Sequence, residues 1–224
     1  MAKIPVIAID GPSGVGKSTI ARCLAIKLGY HILISGVLYR VLGMQLYKRN
    51  IALDNVSEIE TLVADTDIRF ILDGEKIKTC LNGTPVEDDI YGEDYAEIAS
   101  AVGESVALRK ALLPIQRQFR VLPGLVADGR DMGTVVFPDA PLKIFLQADI
   151  EERARRRYQQ LRQRGICAKL NQINEELLQR DQRDSERSIA QLKIADNAVV
   201  LDTTHLSITA VVDGLMDVVK VKLN

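Results

Sequence analysis

Gly11-Pro12-Ser13-Gly14-Val15-Gly16-Lys17-Ser18 follows an apolar, β-branched run, Ile4 to Ile9. It precedes Thr19 to Leu28, where apolar side chains recur at helical spacing. Strand, glycine-rich turn and helix form the context in which G-x-x-x-x-G-K-[ST] has physical meaning. The glycines let successive backbone N–H groups turn inward around phosphate oxygens, at the positive end of the helix dipole. Lys17 then reaches the β- and γ-phosphates, and the Ser18 hydroxyl is placed to ligate Mg²⁺. The stretch therefore reads as a phosphate-binding loop for a nucleoside triphosphate, and it sets the fold class as α/β.

Four further runs extend that reading: His31–Ile34, Gly124–Ala127, Leu142–Leu146 and Ala198–Leu201. Helical patterns separate most of them, as expected of a five-stranded parallel sheet covered on both faces. Ligands in such sheets sit beyond the carboxyl ends of the strands. There the sequence carries the phosphate loop, then Ser35, then Asp128-Gly129-Arg130-Asp131. From about Asp67 to Val86 the period changes to two, punctuated by Asp73-Gly74 and Asn82-Gly83. Such dipeptides accept the positive φ angles of tight hairpins. A three-stranded antiparallel insert is expected, followed by one helix from about Tyr95 to Arg120.

Bulk properties narrow the function classes. The chain has 224 residues and a net charge of −1, so its charge balance favours neither nucleic acid nor a membrane surface. Aromatic residues make up 4% and Trp is absent, which disfavours a base-stacking platform. The three cysteines are scattered and form no C-x-x-C, as in a reduced protein. The start shows no basic region followed by an apolar segment and cleavage site, and no apolar run approaches bilayer length. A cytoplasmic protein is expected, and a monomer, because no long apolar helix face is left over.

Ten of the seventeen arginines lie between Arg130 and Arg187. A planar, permanently charged guanidinium suits bidentate phosphate binding. Glu151 to Gly165 reads as a helix on which Arg153, Arg156 and Arg157 share a face. That face suits either solvated Glu–Arg pairs or a lid closing over a nucleotide. Arg180, Asp184 and Arg187 share another face, equally consistent with solvent or with a sugar beside a phosphate.

These residues carry a resemblance over essentially the whole chain. The chain resembles the bacterial cytidylate kinases, P-loop nucleoside-monophosphate kinases, in Ile9-Asp10-Gly11 to Thr19, in Ser35-Gly36-Val37-Leu38-Tyr39-Arg40 and in Leu122 to Pro138. Within the last stretch, Ala127-Asp128-Gly129-Arg130-Asp131-Met132-Gly133-Thr134 is the most specific signature. The resemblance implies a single P-loop kinase domain over 1–224, with a monophosphate-binding insert at about 63–100 and an Arg-rich lid at about 151–166. It implies transfer of the γ-phosphoryl of ATP to CMP or dCMP, with Mg²⁺, and no nucleic-acid or membrane partner. Gly11 through Thr19 would hold ATP. Ser35, Ser100, Arg109 and Asp131 match positions that read the cytosine ring. Arg40, Arg130 and Arg187 match those around the acceptor phosphate, and Arg180 and Asp184 the pair on the ribose. Lys17, Arg130, Asp128, Arg153 and Arg157 are the candidate catalytic groups. Asp128 resembles the residue that holds the metal through water, a turn-forming role being the alternative. His31 and His205 lie outside the motifs.

One departure stands out: Ile34 occupies a position where the family usually has Asp before Ser-Gly. Weaker metal dependence or a lower rate is expected from the lost carboxylate. Another small-molecule kinase on the same scaffold is the nearest alternative. A GTPase switch would carry N-K-x-D, which this chain lacks.

Overall fold

The computed structural model describes residues 3–86, 90, 93–163, 165, 167–186 and 191–223. From the N-terminus, β1 (Val6–Asp10) leads through the phosphate loop to α1 (Lys17–Leu28), β2 (His31–Ile34) and α2 (Ser35–Lys48). After α3 (Val56–Ala64) come β3 (Ile68–Asp73), β4 (Lys76–Leu81), β5 (Thr84–Pro85), α4 (Glu93–Val102) and α5 (Val106–Gln118). Then follow β6 (Leu125–Asp128), a π-helical turn (Met132–Val136), β7 (Leu142–Gln147), α6 (Ile150–Gln163), α7 (Leu170–Glu186), β8 (Val199–Asp202) and α8 (Ile208–Leu223).

The five expected core strands form one sheet in the order β2-β6-β1-β7-β8, with every neighbouring pair parallel. β1 is central, and its period-two alternation feeds two cores. Ile7 and Ile9 enter the larger core with Leu24, Val126 and Ile144. Val6 and Ala8 enter the other, with Leu33, Ala127 and Phe137. Burying an aliphatic side chain of this size stabilises by about 1.5–3 kcal/mol. The strand that delivers the phosphate loop is therefore anchored on both faces.

The insert forms a separate antiparallel sheet, β3-β4-β5. Gly74 (φ +57°) turns the first hairpin, and Asn82 and Gly83 (φ +49° and +79°) turn the second. The second turn needs positive φ at two successive residues, which explains Asn-Gly. Although the sheet is separate, Ile68 belongs to the larger core and Phe70 and Leu72 pack against it. The Phe70 and Phe119 ring centroids lie 5.5 Å apart.

One expected element is corrected. The single helix from about Tyr95 to Arg120 is two helices, α4 and α5, broken at Gly103-Glu104-Ser105. The Ser105 side chain accepts a hydrogen bond from the Leu108 amide at 3.3 Å, so a new helix starts there. Beyond β7, α6 and α7 pack on each other through Ala154, Leu161, Ile173 and Leu177, a small cluster apart from the two main cores.

Candidate active site

The phosphate loop is shaped by close approach and backbone handedness. A Cβ on Gly11 (φ +149°) would stand 2.2 Å from the Leu146 carbonyl oxygen, so only glycine fits against β7. Gly14 and Gly16 adopt φ of +77° and +96°, the left-handed backbone from which the chain enters α1 and which a phosphate-cradling loop requires. The Lys17 ammonium donates to the Pro12 carbonyl at 2.7 Å. Burial, reinforced by the nearby Arg130 charge, pulls the Lys17 pKa down to about 7. The Ser18 hydroxyl donates to the Asp128 carboxylate at the end of β6. Burial raises the Asp128 pKa against the opposing pull of Lys17 and Ser18.

Across the cleft stands a wall of side chains from several elements. Arg109 in α5 pairs with Asp131 at 2.5 Å, donates to the Gly103 carbonyl at 3.0 Å, and lies 5.5 Å from the Tyr39 ring centroid. The helix break at Gly103 thus supplies an acceptor for this guanidinium. Arg130 donates to the buried Asp184 carboxylate of α7 at 2.8 Å. Arg40 donates to the Ile90 carbonyl at 2.8 Å. Ser35 opens α2, where its hydroxyl accepts from the buried Gln116 amide at 3.0 Å. The Ser100 hydroxyl is buried without a hydrogen-bond partner among the described residues.

Asp10 connects the two sides. At the last position of β1, its two carboxylate oxygens accept from the Met132 and Gly133 amides, each at 2.8 Å. Burial raises its pKa to about 7, although both backbone hydrogen bonds oppose the shift. The residue that introduces the phosphate loop therefore also holds the segment that follows Arg130 and Asp131.

The arginines of α6 divide. Arg153 is buried, donating to the Ala148 and Ser13 carbonyls at 3.1 Å each and pairing with Asp181 of α7 at 2.6 Å. It braces the phosphate loop against α7. Arg156 pairs with Glu152 at 2.8 Å and donates to the Val15 carbonyl at 3.2 Å and the Thr203 carbonyl at 2.5 Å. Arg157 donates to Gln160 at 2.8 Å and lies on the cleft wall.

Together these residues enclose a cleft of about 970 Å³. It is lined by Ser13 to Thr19, Ser35, Arg40, Arg109, Asp128, Arg130, Asp131, Arg157, Arg180 and Asp184. Gly11, Pro12, Ser100 and Arg153 are outside this lining. Arg187 lies outside the described residues. Ile34 lines the cleft and pairs in register with Asp128. Asp10, Gln116 and Thr203 were not among the expected site residues. A polar residue closing an apolar strand was the available signal for Asp10, whereas Gln116 and Thr203 had none.

A model of the cytidylate kinase family matches residues 7–221. A cytidylate kinase from Nitrosococcus oceani is 51% identical over 211 residues, covering 93% of each chain. One from Pseudomonas paraeruginosa is 49% identical over 217 residues, covering 96% of this chain and 95% of that one. Among solved structures, an uncharacterized protein from Eubacterium ventriosum reaches a TM-score of 0.50 at 14% identity, over 97% of this chain and 99% of that one. That is a likeness of fold alone. The family match and the near-full-length identities both span the phosphate loop and the opposing wall, and on them this chain belongs to the cytidylate kinase family.

Proposed function

We propose that the protein transfers the γ-phosphoryl group of ATP to CMP or dCMP, giving ADP and CDP or dCDP. The observation that carries this reading is one cleft in which a phosphate loop faces a wall carrying Arg40, Arg109, Arg130 and Arg180. Lys17, on the donor side, feels the charges of Arg130 and Arg180 on the other. That convergence of cations suits two polyanions that must be brought together.

The acceptor phosphate has a second pKa near ~6, so at neutral pH it is already largely ionised. No side chain has to remove a proton from it, and the obstacle is mutual repulsion. Lys17 neutralises charge on the donor phosphates, while Arg40, Arg130 and Arg187 gather the acceptor phosphate. A polyphosphate beside Lys17 holds its amine charged against the burial that otherwise lowers its pKa. Arg157 adds charge from the cleft wall, and Arg153 holds the loop from behind.

The Ser18 hydroxyl and the Asp128 carboxylate, already hydrogen-bonded to each other, are hard oxygen donors that fit Mg²⁺. This ion takes one or two carboxylates together with substrate phosphates and keeps several waters. Bound with ATP, it supplies charge neutralisation on the transferring phosphoryl group. On the base side, Asp131 accepts from the exocyclic amine of cytosine and Arg109 donates to its ring acceptors. Ser35 contributes a hydroxyl at the same end, and the buried Ser100 hydroxyl, outside the cleft lining, would have to turn toward it to contribute a second. Arg180 and Asp184 contact the ribose in ways that tolerate its 2′-deoxy form.

A coupled assay with ATP and a panel of CMP, dCMP, UMP, AMP and dTMP tests the assignment. CMP and dCMP should turn over, with UMP at least about tenfold worse in kcat/KM. Equal use of CMP and UMP would show that the base-reading roles of Ser35, Arg109 and Asp131 are wrong.

A further inference from the structure

Gln116 is a polar residue on an apolar stripe. Leu108, Leu112 and Gln116 follow one another at i, i+4 and i+8 along α5, and all three are buried. A leucine would continue that stripe. A buried amide left without partners costs about 1–3 kcal/mol, so a glutamine here calls for a polar task. Its side chain donates to the Ser35 hydroxyl at 3.0 Å, a contact between buried groups from α5 and α2. Ser35 lines the cleft and Gln116 does not; it stands behind Ser35.

We infer that Gln116 is a positioning residue that sets acceptor-base specificity by fixing the Ser35 hydroxyl toward the cleft. The inference rests on the reading of that cleft as the CMP site. A serine hydroxyl carries one proton and two lone pairs. The Gln116 N–H occupies one lone pair on the side away from the cleft. The remaining lone pair and the proton are then directed into the wall shared with Arg109 and Asp131. Ser35 is the first residue of α2, so no carbonyl lies one helical turn before it to draw that proton back. With its oxygen pinned, that hydroxyl meets a pyrimidine edge at one distance and angle only, whereas a freely rotating side chain shifts to suit either cytosine or uracil. The plainer possibility is a hydrogen bond that merely ties α5 to α2.

Steady-state kinetics on the full chain separate the two. The parent, Gln116→Leu, Ser35→Ala and the double variant are each assayed with CMP and UMP at saturating ATP, and with ATP at saturating CMP. Gln116→Leu should raise the KM for CMP about five- to tenfold, as for loss of one buried hydrogen bond. It should lower the CMP-to-UMP preference in kcat/KM by about the same factor and leave the KM for ATP within about twofold. The double variant should be no worse than Ser35→Ala alone, because the two residues act as one unit. KM does not depend on the fraction of folded enzyme, and Gln116→Met completes the cycle if the leucine variant does not fold. Equal shifts for CMP and ATP, an unchanged CMP-to-UMP preference, or additive effects would each reduce Gln116 to a helix tether and overturn the inference. A parent enzyme that does not phosphorylate CMP would overturn the assignment of the cleft itself, and this inference with it.

Discussion

The two sides of the cleft are built in different ways. The donor side is one contiguous loop whose working groups are backbone amides plus Lys17 and Ser18, held by a strand buried on both faces. The acceptor side draws Ser35 from α2, Arg109 from α5, Arg130 and Asp131 from the loop after β6, and Arg180 and Asp184 from α7. Its groups are held by one another, in the Arg109–Asp131 and Arg130–Asp184 pairs. Backbone donors on a rigid loop suit an invariant triphosphate. A wall of paired side chains can be altered residue by residue, so the proposed function puts specificity there.

If the sides are separable, variants should damage one and spare the other. The largest effect is expected of Lys17→Ala, which should lower kcat by about 10²–10³ and leave the CMP dissociation constant within about twofold. Near-full activity would refute the phosphate-loop assignment. Asp131→Ala removes a base acceptor and strands the buried Arg109 charge. The KM for CMP should rise by about 10- to 100-fold while ATP binding is nearly unchanged. Comparable losses for both ligands in either variant would mean that the two sides are one cooperative unit.

Asp10 sharpens the comparison because it joins the sides. Its pKa is about 7 in the folded protein against an ordinary value of 3.8. Between those values the native state keeps a proton that the unfolded chain has lost. The contribution of Asp10 to stability is thus greatest below about pH 4 and is lost as pH rises through about 7. Subtracting the unfolding free energy of Asp10→Asn from that of the parent should give a curve that falls over this window and flattens above it. A flat difference across the whole range would rule the linkage out.

The smallest effect concerns Ile34, which lies beside Asp128 in the sheet register. Ile34→Asp should lower the half-saturating Mg²⁺ concentration roughly threefold, by adding a second carboxylate near the metal donors. An unchanged Mg²⁺ requirement and rate would dispose of the idea that Ile34 weakens metal dependence.

Much of this molecule is legible from its residues in order. The phosphate loop is legible from four fixed positions between a strand and a helix: of these, Gly16 answers to the backbone conformation at its own position, and only Gly11 answers to a distant neighbour, the Leu146 carbonyl of β7. The Asn82-Gly83 turn and the alternation of β3 and β4 are local in the same sense. The break at Gly103-Glu104-Ser105 was missed because apolar spacing continues across it, and only the Ser105 cap marks the restart. Arg153 and Arg157 share a helical face and a sequence context. Yet one is buried against Ser13 and Asp181 and the other lines the cleft.

The order of residues alone determined the alternation of strands and helices that marks an α/β chain, the phosphate loop and the hairpin turns, since each shows in a short-range pattern, whereas the pairing of β1 with β6 and β7 joins residues more than a hundred positions apart. Only the tertiary structure decided that Asp10 holds the segment after Asp131, that Gln116 stands behind Ser35, and which arginines are braces. Those roles depend on groups about eighty to one hundred and forty residues apart meeting in the folded chain, and short-range periodicity says nothing about such meetings.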